Sequence, residues 1–523
     1  MSSPTIVKFP VSPTGSSPRT PSNKRRVTPS AEQSSPRRAL IVTTANRGPL
    51  ASQGKLFLKP FSAPKQLFSH AHPSSRGQED AKATWHQRHV LLPFNLRNLK
   101  NDIHRGEVRD LLYHIFPKTT NVTEARWRSH LIFQVKELPE SPWPLTVGGV
   151  PFTITSHDNK GRALIFPRQI LGNFEISICQ HGYKVEEFSD KELRKLGANV
   201  HSWFKKNLPE TRMIELMLTS ERTIYIVLED HVNVSSLRVT LPGKIARCPV
   251  GYLTNRELHR PLWADLPAKR QVEPQPISGV IDNTVYDILR PGVLISSKML
   301  KELGHPAVFS TTSGILVQNN SGNCFITVAS HGIGDDGYIW QGDHPGRSIG
   351  ESVLEISFTD ISLVKLKNDI TFVNETFENN SGDSPSFTRL ATSEDRFMFD
   401  DCFLNSPYTG NMEASIVSKS VKLQASTHPT EDELRYVIYN WCYMGQTEGN
   451  EDRVRPPDGT CGSAIWDDNG VITGFYHYYI QKGPWNGFSA SVSASELVEA
   501  GYTLVKETTG IPMPAVETPT SRD

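Results

Sequence analysis

The six cysteines of this 523-residue chain, at positions 179, 248, 324, 402, 442 and 461, form no CxxC pair and no framework spacing. Neither a disulfide scaffold nor a cysteine-based zinc site is therefore encoded. No apolar run approaches the length that a bilayer span needs, and the first residues lack the apolar core of a secretory leader. Net charge is equally scarce. With 56 basic against 55 acidic residues and a formal charge of +1, bulk electrostatics indicate no nucleic acid or other charged partner. No internal repeat is present. His181, His201 and His231 are spaced too irregularly for a metal site, so no metal and no cofactor is expected. Together these absences predict an intracellular protein, cytoplasmic or nuclear and not secreted, without a membrane partner, whose thiols stay reduced.

What is present divides the chain into zones. Residues 1–80 are rich in Ser, Pro, Thr, Lys and Arg and poor in periodic apolar residues, so they cannot offset the entropy of ordering and are expected to be disordered. Ser3, Ser12, Ser17, Thr20, Thr28 and Ser35 each precede proline, with Lys24-Arg25-Arg26 among them. That pattern suits proline-directed phosphorylation around a nuclear-import signal, or simply a solvated tail. Residues 82–264 read as an α+β domain. Ser189-Asp190-Lys191-Glu192 is a capping box that opens a helix with Leu193, Leu196, Val200 and Phe204 on one face. Strand-like runs at 153–155, 174–179 and 223–228 flank it. A proline-interrupted linker is predicted over 265–285, a β-rich domain over 286–506, and a second disordered tail over 507–523.

Chemistry concentrates in the β-rich domain. Gly459-Thr460-Cys461-Gly462-Ser463-Ala464 is a tight turn of small residues around a cysteine, followed by Ile465-Trp466, the turn Asp467-Asp468-Asn469-Gly470, and a β-branched and aromatic strand from Val471. A free thiol with a pKa near 8.5 is mostly protonated at neutral pH, so a nucleophilic cysteine needs an imidazole beside it. Cys324-Phe325-Ile326-Thr327-Val328-Ala329-Ser330-His331-Gly332 reads as a buried strand that ends in such a histidine. Thr359-Asp360-Ile361-Ser362-Leu363-Val364-Lys365-Leu366 opens another strand with a carboxylate, which can fix the imidazole tautomer. Asp369 is the fallback carboxylate. Ser463 lies beyond the bend and is set aside as the nucleophile.

The order His331, Asp360, Cys461 resembles that of chymotrypsin-fold peptidases, and within them the viral-type enzymes that use cysteine. The resemblance covers about residues 286–506, and Gly487-Phe488-Ser489-Ala490 is similar to a segment near the end of the viral enzymes. It implies an all-β double β-barrel of the trypsin-like kind, two antiparallel six-stranded barrels forming an autonomous unit. It also implies an oxyanion hole made by the backbone N–H groups of Gly459 and Cys461, and a substrate pocket at Gly474, Phe475 and Tyr476. Two features depart from secreted relatives. Thr460 stands where those enzymes carry an Asp that pairs with a new N-terminus, and Cys324 lacks the bridging partner found beside their histidine. His477 falls one residue past the position that reads glutamine in the viral enzymes, and in a regular strand it would face the other way. The activity implied is cysteine endopeptidase hydrolysis of a polypeptide substrate through Cys461, His331 and Asp360. The alternatives are a catalytically inactive pseudo-peptidase that binds peptides or acts as a scaffold, and a nuclear regulator with a vestigial peptidase domain.

Overall fold

In a computed structural model, residues 84–506 are described apart from 87–88, 95, 97–99, 125–129, 140–142, 144–145, 149, 159–160, 163–169, 184–187, 262–280, 300–306, 335, 343–345, 357, 378–384, 397–400, 425–434, 445–455 and 484. The two predicted tails and most of the predicted linker lie outside the described residues. Among the described residues no helix is long and apolar enough to cross a membrane.

The first body of sheet spans residues 84–162. Its helix Gly106–Ile115 contributes Leu112 and Ile115 to a core around Phe116, Phe133 and Phe152, whose rings meet at 4.9 to 5.6 Å. Burying aromatic rings edge to face lets a small sheet close a core of its own.

The next segment carries the capped helix, α1 (Asp190–Asn207), and three strands that matter for the site: β1 (Met213–Thr219), β2 (Ile224–Leu228) and β3 (Cys248–Thr254). Both capping-box hydrogen bonds are present at Ser189 and Glu192, and Leu193, Leu196, Val200 and Phe204 are buried. The strands alternate between two cores, as a period of two requires. Leu216, Leu218, Ile224 and Ile226 pack with α1, whereas Met217, Tyr225, Val227 and Leu253 face the opposite way and join the core of the C-terminal sheets.

Seven strands follow: β4 (Leu294–Met299), β5 (Ala307–Thr312), β6 (Leu316–Asn319), β7 (Cys324–Ala329), β8 (Tyr338–Gln341), β9 (Arg347–Ile356) and β10 (Ile361–Leu366). They pair in the order β5-β4-β8-β9-β10-β7-β6. Because β5 and β6 are two halves of one bent segment, bridged by Ser313 N–H to Val293 O and Gly314 N–H to Thr327 O, the sheet returns on itself as a barrel. A second closed barrel is built from β11 (Asp401–Ser406), β12 (Gly410–Gln424), β13 (Arg435–Met444), β14 (Ala464–Trp466), β15 (Val471–Tyr479) and β16 (Phe488–Ser493). Its order is β11-β14-β15-β16-β13-β12, and β12 pairs back to β11. A short helix, α2 (Ser495–Glu499), leads to β17 (Tyr502–Leu504), which pairs with β6 of the first barrel.

The relation of these barrels to the preceding α+β segment differs from an autonomous unit on a linker. The 15-residue strand β12 outruns its barrel, and its second half pairs with β1 from Glu215 opposite Lys422 to Thr219 opposite Ser418. One sheet thus runs from the α+β segment into the second barrel. Buried charge reinforces the joint. Asp190, at the start of α1, accepts from Lys419 Nζ at 2.7 Å, Ser493 Oγ at 2.7 Å and Ser495 Oγ at 2.8 Å. Arg194 of α1 pairs with Glu496 of α2.

Candidate active site

His331 sits in a single 3-10 turn, Ser330–Gly332, directly after β7. Asp360 precedes β10 and pairs with that turn from the neighbouring strand. Its φ of +59° lies in the left-handed region, unusual for a residue with a side chain, and this conformation is observed at the point where the chain meets His331. Asp360 Oδ1 accepts from the His331 backbone N–H at 2.9 Å, while Oδ2 lies 2.6 Å from His331 Nδ1. Asp360 O accepts from Ser330 N–H at 2.9 Å. The imidazole is therefore held by side chain and main chain of one residue. Asp369, the fallback carboxylate, is exposed in the turn after β10.

Cys461 comes from the second barrel, in the turn before β14. Its thiol stands close enough to the His331 imidazole to help raise the pKa of that imidazole, and it donates to His477 O at 3.1 Å. Thr312, at the end of β5, clamps the turn across the two barrels: its N–H donates to Cys461 O at 3.1 Å and its hydroxyl to Gly459 O at 2.8 Å. The turn needs glycine at two places. Gly459 has φ +96° with the Tyr408 ring 2.4 Å from where a Cβ would stand, and Gly462 has φ +87° with Thr312 O 2.7 Å from that point. Among the described residues neither Gly459 N–H nor Cys461 N–H donates to a protein acceptor. Ser463 is wholly buried and its hydroxyl donates to Thr460 O at 2.7 Å, which turns it away from the imidazole's partners.

Electrostatics in the site are set by burial and by mutual charge. Burial disfavours the His331 imidazolium, but Asp360 and Cys461 outweigh it and push its pKa up to about 10. Burial also opposes ionised Asp360, and His331 and His477 outweigh it, holding the carboxyl well below its usual range.

The three residues expected to line a substrate pocket lie on β15. Phe475 and Tyr476 are buried in the second barrel, and with Asp360, Gly462, His477 and Val492 they border a small internal cavity. Gly474 lies against β16, where a Cβ would meet Val492 O at 2.5 Å.

His477 is the residue that sequence reasoning turned the wrong way. Pairing between β15 and β16 shifts register between Tyr476 and Tyr478, and such a bulge re-aims the side chain it contains. His477 is buried, with Nε2 3.1 Å from Asp360 Oδ2. A usable signal was present: residues 471–478 are apolar, aromatic or small on both faces, so alternation could not say which way residue 477 points. His331, Asp360 and His477 present ligand atoms within 4.8 Å of one another. Ligand atoms about 2.0 Å from a tetrahedral zinc stand about 3.3 Å apart, and the 2.6 Å between His331 Nδ1 and Asp360 Oδ2 is too short for that pair and fits a shared proton.

No protein-family model and no curated protein sequence matches the chain. Among solved structures it is similar to the Nocardiopsis protease NAPase, at 15% identity and TM-score 0.28 over 42% of this chain and 98% of that one. It is also similar to Cellulomonas bogoriensis chymotrypsin, at 13% identity and TM-score 0.28 over 42% and 100%. The Rv3671c protease from M. tuberculosis in its active form matches at 11% identity and TM-score 0.26 over 44% and 91%.

Proposed function

We propose that the chain is a cysteine endopeptidase with a chymotrypsin-type pair of barrels, in which Cys461 is the nucleophile, His331 the acid and base, and Asp360 the group that holds the imidazole. The observation that carries this reading is the convergence on one imidazole of a carboxylate at 2.6 Å from the first barrel and a thiol from the second. In that arrangement the imidazole is placed to take the proton of the thiol. The sulfur attacks the scissile carbonyl carbon, and the oxygen that becomes negative is met by the N–H groups of Gly459 and Cys461, neither of which donates to a protein acceptor among the described residues. His331 then passes its proton to the leaving amine as the C–N bond breaks, leaving a thioester. It takes a proton from water as the water oxygen attacks that thioester, and the sulfur leaves as the acyl carbon–sulfur bond breaks, taking that proton back from the imidazolium. A polypeptide is the substrate class that this chemistry serves.

One observation favours the second reading, a peptide-binding protein without turnover. His331 and Cys461 are 6% and 8% exposed, and the thiol also points at His477 O, a disposition that suits a closed or latent site. Hydrolysis of a peptide library by the wild type and by Cys461→Ala separates the two. Cleavage lost in Cys461→Ala supports the peptidase. No cleavage by either protein, with peptide binding retained, supports the second reading.

A further inference from the structure

Asp360 is approached by two imidazoles. His331 Nδ1 lies 2.6 Å and His477 Nε2 3.1 Å from the same oxygen, Oδ2, while the other oxygen takes the His331 backbone N–H at 2.9 Å. An ionised carboxylate can only accept, so each nitrogen at Oδ2 carries a proton. The second imidazole is itself fixed. Its ring stacks on Tyr439 of β13 with centroids 5.9 Å apart and planes 21° apart, meets Tyr478 edge on at 4.9 Å, and lies 6.1 Å from the His331 ring. Its carbonyl oxygen is the acceptor 3.1 Å from the Cys461 sulfur. One residue of β15 thus reaches the carboxylate through its ring and the thiol through its main chain.

We propose that His477 is a positioning residue of this site: its Nε2–H holds the Asp360 carboxylate ionised and aimed, so that His331 keeps its proton on Nδ1 and offers its other nitrogen to Cys461. The inference rests on the peptidase reading. The His477 ring acts through Asp360, and only the carbonyl of that residue touches the sulfur. Two donors on Oδ2 spread its negative charge and lower its basicity, so the proton between His331 and Asp360 stays on nitrogen, which is the tautomer that nucleophile activation needs. The titratable groups facing Asp360 include His331, His477 and, across the imidazole, Cys461; those facing His477 include Asp360, His331 and the phenols of Tyr439 and Tyr478.

The test compares His477→Phe, which keeps an aromatic ring on Tyr439 but has no donor, with His477→Gln, whose amide N–H can stand near the Nε2 position. A hydrogen bond to a charged group is lost in the first, so kcat on a peptide substrate should fall about 10-fold to 100-fold with KM within about twofold. The acid limb of the kcat profile should move to higher pH. His477→Gln should recover most of kcat and return the limb toward its wild-type position, which a purely packing role would not do. Cys461→Ala is the control for the underlying reading. If that variant still hydrolyses peptide, the peptidase reading fails. If it is inactive while His477→Phe matches wild type in kcat and acid limb, the positioning role alone is overturned. Should His477→Phe not fold, nitrogen-15 histidine NMR of the wild type decides: His477 with its proton on Nε2 between about pH 5 and 9 supports the role, and a bare Nε2 overturns it.

Discussion

Replacing Asp190 by alanine should unfold the α+β segment and the second barrel together. Asp190 is 1% exposed, and all three of its side-chain partners, Lys419, Ser493 and Ser495, lie in or beside the second barrel at 2.7 to 2.8 Å. Removing one member of a buried ion pair costs about 3–5 kcal/mol, because the other charge stays behind in a dry site. Asp190→Asn retains an acceptor and loses the charge, so its cost should be nearer 1.5–3 kcal/mol, the worth of a hydrogen bond to a charged group. Asp190→Leu combined with Lys419→Met removes both charges and should recover part of the loss. Urea unfolding followed by the fluorescence of Trp441 and Trp485, both fully buried in the second barrel, and by helical circular dichroism for α1, reads both bodies at once. The two signals should move to lower urea together in Asp190→Ala. A loss under about 1 kcal/mol, or a helix signal that shifts while the tryptophan signal does not, would refute the idea that the shared sheet and this ion pair couple the two parts.

Further outcomes follow from the site. Because Asp360 and Cys461 raise His331 to about 10 against the opposing effect of burial, peptide hydrolysis should fall on the alkaline side as pH rises through about 10, where the imidazolium loses its proton. The same sign applies to stability: the contribution of His331 is fully present below its ordinary value of 6.5 and is lost as pH rises through about 10, whereas that of Asp360, depressed in the fold, is present above 3.8 and lost as pH falls through its lowered value. Melting temperature recorded against pH should decline at both extremes. Gly459→Ala should cut hydrolysis by at least about 100-fold with little change in circular dichroism, since φ +96° and the Tyr408 ring exclude a Cβ and the displaced turn would lose an oxyanion donor. Activity within twofold of wild type would count against that role for the turn.

Legibility followed the range of the interactions. His331, Asp360 and Cys461 could be picked out because each is announced locally, by a strand running into a turn or by small residues around a bend. The helix Asp190–Asn207 was readable for the same reason: its cap and its apolar face are written within 16 residues, from Ser189 to Phe204. What escaped depends on partners far away in the chain. Strand β12 pairs with β1 some 200 residues earlier, and nothing in either segment specifies the other. Asp190 looks like an ordinary first-turn carboxylate until Lys419 is placed beside it. The placement of His477 holds only for a regular strand, and a one-residue shift of register between Tyr476 and Tyr478 accompanies a ring turned toward Asp360. Phe475 and Tyr476 illustrate a related limit: an aromatic run near a nucleophile fits a pocket wall or a core, and in the structure both side chains are buried and border the small cavity beside Asp360.

The central claim, that His331 activates Cys461, is tested most directly by comparing thiol alkylation rates. Near neutral pH, iodoacetamide should label Cys461 faster than exposed Cys324 and half-buried Cys179, although Cys461 is 8% exposed and burial pushes both comparison thiols up. Site-resolved mass spectrometry over a time course gives each rate, and His331→Ala should remove most of the advantage of Cys461. Labelling led by Cys324, with Cys461 unaffected by His331→Ala, would contradict the account.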